Sequence, residues 1–206
     1  MADAVYVVGA SGHAKVVIST LRAAGHEVLG AFDDDPCKEG QTILGVPVLG
    51  AVARLRGRAG ARAVIAIGDN RVRKSMVELL PDVAWVTIVH PGAYVHASAR
   101  LGTGTVVFAG AIVQPDVVVG RHAIVNTAAS VDHDCQLADF AQVAPGVRLG
   151  GGVEAAEGVM IGIGATVIQK IRIGAWSVVG AGAVVIRDLP AGVTAVGVPS
   201  RVIKTV

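Results

Sequence analysis

The chain has 206 residues, 52% of them hydrophobic, which is enough apolar side chain for one larger core or two small ones. A formal charge of +2, spread along the chain, and 3% aromatic residues leave neither a basic stripe nor a stacking platform, so nucleic acid is not an expected partner. Apolar runs such as "VVFAGAIV" fall far short of the roughly 20 residues of a spanning helix, and no basic segment precedes "VYVVGA", so the expectation is a cytoplasmic protein with no membrane attachment.

In chain order, "AVYVVGA" reads as a strand and "GHAKVVISTLRAAG" as a helix, with Val16, Val17, Leu21 and Ala24 at helical spacing and Gly25 as its stop. "EVLGAFDDD" is a second strand ending in acids. "GVPVLGAVARLRGR" and "ARAVIAIGDNRVRKSMVELL" each repeat the alternation of apolar run and helix, and "VAWVTIVH" reads as a last strand. This pattern predicts an α/β domain with a small parallel sheet, Rossmann-like, over residues 1–90. Cys37 and Cys135 are too few for a disulfide framework, and each is expected to be a small buried residue.

From Val95 the period changes. Val, Leu or Ile recurs every six residues through Val185, with Ala155 as the single exception in sixteen positions, and small or β-branched residues stand two places earlier. Glycine often follows the aliphatic position, as at Gly102, Gly120, Gly150, Gly162, Gly174 and Gly180. Such a period predicts a hexapeptide solenoid over residues 91–206, about five triangular coils with the aliphatic positions inward and glycine relieving the corners. The hexads resemble the left-handed parallel β-helix of hexapeptide-repeat acyltransferases, and the left hand is implied by that resemblance alone.

Two stretches carry chemistry. In "NTAASVDHDC", His133 and Asp134 fall two and three residues after the inward Val131, hence at an outward corner, where an imidazole beside a carboxylate has the composition of a general base. In "VYVVGASGHAKVV", Gly9 and Gly12 lie between strand and helix, where backbone N–H groups receive phosphate; Ser11 replaces the second glycine of the dinucleotide fingerprint, which speaks against a nicotinamide oxidoreductase. Asp33 and Asp34 end the second strand, where carboxylates accept from ribose or base, and Gly68, Asn70 and Arg73 either complete that pocket or, for Arg73, leave a surface charge on a helix. His90, His96 and His122 are too scattered for a zinc set, so no metal is expected.

Together "GASGH", "IGDNRVRK", the hexads, "NTAASVDHDC" and "DLPAGVTAVGVPSRVI" resemble the sugar-nucleotide acetyltransferases that include bacillosamine-pathway and perosamine N-acetyltransferases. The resemblance implies a homotrimer that uses acetyl-CoA in polysaccharide biosynthesis, with His133 as base and Asp134 as its support. It also implies Asn126 near the sugar amine, Ser11, Gly12 and His13 near the phosphates, the Gly151 N–H at the thioester oxygen, and Ile163, Gly180, Ala181 and Gly182 along the pantetheine. UDP and GDP sugars stay open, as do a sugar O-acetyltransferase of the sialic acid type and a non-catalytic sugar-nucleotide-binding trimer.

Overall fold

In the computed structural model, which describes residues 4–58 and 60–205, the first apolar run is strand β1 (Ala4–Val8), with Val5, Val7 and Val8 fully buried. Helix α1 (Gly12–Ala23) follows; its buried stripe is Ala14, Val17, Ile18, Thr20 and Leu21, while Val16 and Ala24, expected on that face, lie exposed one position off it. Strand β2 (Glu27–Phe32) pairs parallel to β1.

The next segment departs from the expectation of a strand and helix. Strands β3 (Thr42–Ile43) and β4 (Val46–Pro47) form an antiparallel two-residue hairpin, and "VARL" is a single tight turn. Gly45 and Gly50, with φ of 74° and 111°, and Pro47, which has no N–H to donate, stop the run before it can extend. Cys37 also departs from expectation. It lies exposed in the turn Pro36–Lys38, whose leading Asp35 side chain accepts the Cys37 N–H.

Strand β5 (Arg62–Ile65) pairs parallel to β1 on its other side, helix α2 (Asn70–Leu79) starts at the capping Asp69 carboxylate, and strand β6 (Ala84–Trp85) pairs parallel to β5. The expected last strand is broken: Ile88–Val89 is a separate element outside this sheet. The resulting unit, Met1–His90, is a four-stranded parallel sheet of order β2-β1-β5-β6 around a core that includes Val8, Phe32, Leu55, Ile65 and Leu80. Strand order reverses beside β1, and the crevice at the carboxyl ends of β1 and β5 is where such sheets take ligands.

The second unit, Pro91–Val206, is a parallel β-solenoid. Sixteen two-residue strands, from Tyr94–Val95 to Val184–Val185, each end on a hexad position, and pairing joins residues eighteen apart, as in Ile112↔Ser130 and Ser130↔Arg148. Three hexads therefore make one coil. The first face stacks Val106–Val107, Ile124–Val125, Gln142–Val143, Met160–Ile161 and Val178–Val179. The second runs from Tyr94–Val95 through Ser130–Val131 to Val184–Val185, and the third from Arg100–Leu101 through Gln136–Leu137 to Arg172–Ile173. Val193–Val196 extends the first face and Arg201–Thr205 folds back on it antiparallel.

Glycine works at two different corner positions. A Cβ at Gly102 would meet the Gly120 backbone at 2.5 Å, so the glycines directly after the aliphatic residue allow coils to stack. Their φ values are not left-handed. From Leu101 to Val179 the left-handed residue comes three places after each hexad position, and side chains occupy it at Asp116, His122, Ala128, Asp134, Phe140, Lys170 and Trp176.

Candidate functional site

Residues 132–135 form a corner between the second and third faces, in a column with residues 114–117, 150–153 and 168–171. Asp134 is the left-handed residue of this corner, with φ of 60°, a region that Asp and Asn tolerate better than most side chains. Adjacent side chains on an extended strand diverge; here the turn brings the Asp134 Oδ2 to 2.7 Å from His133 Nδ1. Asp132 lies on the other side, its Oδ1 accepting the His133 N–H at 2.8 Å.

When neutral His133 donates its Nδ1–H to Asp134, Nε2 carries the lone pair that takes a proton. The Asp134 hydrogen bond, and after it the Asp132 charge, raise the His133 pKa above its ordinary 6.5. Both side chains are open to water, at 60% and 66% exposure, so the pair adds little to stability. The imidazole rests on the next coil. Gly151 is buried, and a Cβ there would lie 2.6 Å from both Cε1 and Nε2 of His133, so only glycine leaves room for the ring against the backbone. Cys135, one residue beyond Asp134, points inward; its Sγ donates to the Gly150 carbonyl at 3.2 Å and burial pushes its thiol up to about 11, which removes it as a nucleophile.

Asn126, Ile163, Gly180, Ala181 and Gly182 share the corner column between the first and second faces, which also holds residues 144–147. Within one chain they stand a full face away from His133, up to about 20 Å over six extended residues. The Asn126 Oδ1 accepts the Thr127 N–H at 2.8 Å, a self-contained turn contact, while Ile163 is 61% exposed. The structure thus groups His133, Asp134 and Gly151 at one corner and Asn126 with the Ile163 and Gly180–Gly182 stretch at another.

The first unit contains a cleft of about 280 Å³ lined by Gly9, Ser11, His13, Asp33, Asp34, Gly68, Val52, Ala66, Ile67, Val72 and Met76. Gly9 has φ of 104°, and a Cβ there would press on the Ala66 carbonyl at 2.9 Å, so β1 and β5 close together at this end. Gly12 is the first residue of α1, beside the lining Ser11 and His13. Asp33 is heavily engaged: it accepts the Ala10 N–H at 2.7 Å, the Asp35 N–H at 3.0 Å and the Lys38 ammonium at 2.9 Å. Burial pushes its carboxyl up, but these donors, Lys38 foremost, outweigh burial and leave it below the ordinary carboxylate range. Asp34 accepts the Val52 N–H at 2.8 Å through Oδ1.

Asn70 and Arg73 are not in this lining. Arg73 is neither a rim residue nor a surface charge: it is 1% exposed, donates to the Ile67 and Gly68 carbonyls at 3.2 Å each, and burial lowers its pKa to about 10. It shapes the loop from behind. Burial, and then the Arg73 charge, lower the His13 pKa and favour the neutral ring. Lys38 and Asp132 were not singled out from sequence; "DHD" held a visible signal for Asp132, whereas the contact of Lys38 depends on a turn that apolar periodicity does not mark.

Residues 4–80 match the family model "PglD N-terminal domain". The UDP-N-acetylbacillosamine N-acetyltransferase of Bacillus subtilis is 43% identical over 110 residues, half of each chain, and the uncharacterized protein L142 of Acanthamoeba polyphaga mimivirus is 31% identical over 103 residues, 21% of its length. The chain therefore spans half or less of these two relatives. Solved structures match nearly end to end. The perosamine N-acetyltransferase of Caulobacter crescentus, in complex with CoA and GDP-perosamine, is 42% identical with a TM-score of 0.90, covering 98% of this chain and 97% of that one. The acetyltransferase domain of PglB from Neisseria gonorrhoeae, in complex with acetyl coenzyme A, is 35% identical with a TM-score of 0.92, covering 98% and 100%. With its repeat register, its His-Asp corner and these likenesses, the chain belongs to the hexapeptide-repeat family of sugar-nucleotide N-acetyltransferases.

Proposed function

We propose that this chain transfers the acetyl group of acetyl-CoA to the 4-amino group of a nucleotide-linked amino-deoxysugar, a UDP-4-amino-4,6-dideoxy sugar or GDP-perosamine. The observation that carries the reading is the 2.7 Å contact between His133 Nδ1 and Asp134, which leaves Nε2 as the base on a corner where it lies against the Gly151 backbone. The neutral amine attacks the thioester carbonyl, His133 Nε2 accepts its proton, and the Gly151 N–H holds the oxyanion. The intermediate then expels CoA, whose sulfur takes a proton back from His133. No acyl-enzyme is involved.

In this reading the first unit is a Rossmann-like nucleotide-binding domain, with Ser11, Gly12 and His13 toward the phosphates and Asp34 toward the ribose or base. Ile163, Gly180, Ala181 and Gly182 lie along the pantetheine and Asn126 near the sugar amine, in a left-handed coil. Their distance from His133 within one chain is the argument for a homotrimer, because a neighbouring copy supplies the second corner to each site. CoA and GDP-perosamine in the Caulobacter complex support the donor and acceptor classes, respectively.

The test is CoA release, followed as free thiol, with a panel of UDP- and GDP-linked 4-amino-4,6-dideoxyhexoses. Turnover that falls about 10²-fold or more in His133→Ala supports the base and identifies the nucleotide. Turnover with a sugar hydroxyl such as that of sialic acid, and with no amine, overturns N-acetylation in favour of O-acetylation. No thiol release with an acceptor of either kind leaves the non-catalytic trimer.

A further inference from the structure

Lys38 ends the short turn that follows β2; it is not itself in the cleft lining, but its ammonium reaches two residues that are, Ser11 and Asp33. It donates to Ser11 Oγ at 2.8 Å and to Asp33 Oδ2 at 2.9 Å, so one cation ties the loop after β1 to the acid after β2. The Ser11 hydroxyl caps no N–H of helix α1, although the residue stands at the capping position; it is turned to Lys38 instead. These are strong contacts to spend on a surface lysine.

The charges of the cleft explain what they achieve. Its lining presents two carboxylates, Asp33 and Asp34, and an imidazole held toward its neutral form. A diphosphate entering such a lining meets like charge at short range, which a cation in contact with it offsets beyond what the backbone N–H groups at the start of α1 supply. Arg73 contributes from behind but is 1% exposed and directed at carbonyls. The Lys38 side chain is 27% exposed, and two of its three ammonium protons are engaged, which leaves one for a ligand.

We infer that Lys38 holds the diphosphate of the nucleotide-linked substrate, and that Asp33 aims the lysine rather than reading the ribose. The inference rests on the first-unit cleft being the nucleotide site, and it transfers the sugar-reading task to Asp34, whose Oδ2 is not used by the Val52 N–H.

The experiment is calorimetric titration of the full chain and its Lys38→Met and Lys38→Arg variants with GDP and UDP, with guanosine and uridine followed by ligand-observed NMR. Expected is a diphosphate affinity about tenfold or more weaker in Lys38→Met, largely kept in Lys38→Arg, with nucleoside affinity unchanged. Equal diphosphate binding by wild type and Lys38→Met overturns the inference. So does a loss in Lys38→Met that is equally large for the nucleoside, because the lysine then shapes the cleft without touching phosphate. A wild-type chain that binds neither diphosphate overturns the nucleotide-cleft reading itself, and the inference with it.

Discussion

Replacing Asp134 by asparagine keeps a side chain that accepts the left-handed φ of 60° and removes only the charge facing His133. Under the proposed mechanism His133 works deprotonated, and its pKa is raised by that carboxylate, so activity is expected to fall as pH drops through a value above 6.5. In Asp134→Asn the acid limb of kcat/KM moves to lower pH, and the plateau falls by about 10- to 10²-fold because nothing charged favours the Nδ1–H tautomer. A pH–rate profile of both proteins checks the pair of effects together. A plateau loss with an unmoved limb shows that Asp134 supports the fold of the corner and does not act on the imidazole. The outward placement of His133 was legible from its offset after Val131. The close approach of Asp134 was not, because it depends on a left-handed φ that an Asp does not announce as a glycine would.

At the scale of the coil, the two kinds of corner glycine respond differently to substitution. At Gly120 a Cβ would sit 2.5 Å from the Asp139 backbone nitrogen and 2.6 Å from the Ala138 carbonyl carbon, main-chain atoms that cannot swing away, so Gly120→Ala costs about 1–3 kcal/mol. Gly146 has φ of 68° and open space around its Cβ, so Gly146→Asn changes stability by less than about 1 kcal/mol. Urea unfolding of the two variants measures the difference, and a larger loss in Gly146→Asn reverses the assignment. The solenoid was readable because a six-residue period repeats sixteen times and each repeat reports the same inward position. The segment around Pro47 offered no such redundancy. Its apolar residues fit a strand-and-helix pattern, and the hairpin won through local turn chemistry at Gly45 and Gly50. Val16 was misplaced for a related reason: a single helical turn allows two adjacent valines as the buried face, and only packing decides between them.

For the whole molecule, the separation of the His133 corner from the Gly180–Gly182 corner makes activity a property of the assembly under the proposed reading. His133→Ala lacks the base, and Ala181→Trp obstructs the exposed corner where the pantetheine is placed. Each is expected to be inactive alone. Co-expressed, they form mixed trimers in which some sites combine an intact His133 from one copy with an intact Ala181 corner from another, and activity returns to roughly a tenth or more of wild type. Mixtures that stay inactive while forming trimers place all reacting groups on one chain. The sequence reading expected a cleft between copies of a trimer at such corners, but assigning His133 to one corner and Asn126 and Gly180 to another needed the three-face register.

The eighteen-residue register also makes the solenoid a ruler. Each coil advances by one strand spacing, about 4.8 Å, so positions in the His133 column, such as Gly151 and Gln169, are set apart in whole graduations. The reach from the base to the far end of the chain is therefore adjusted by adding or removing complete coils, which leaves every corner angle and inward side chain as it was.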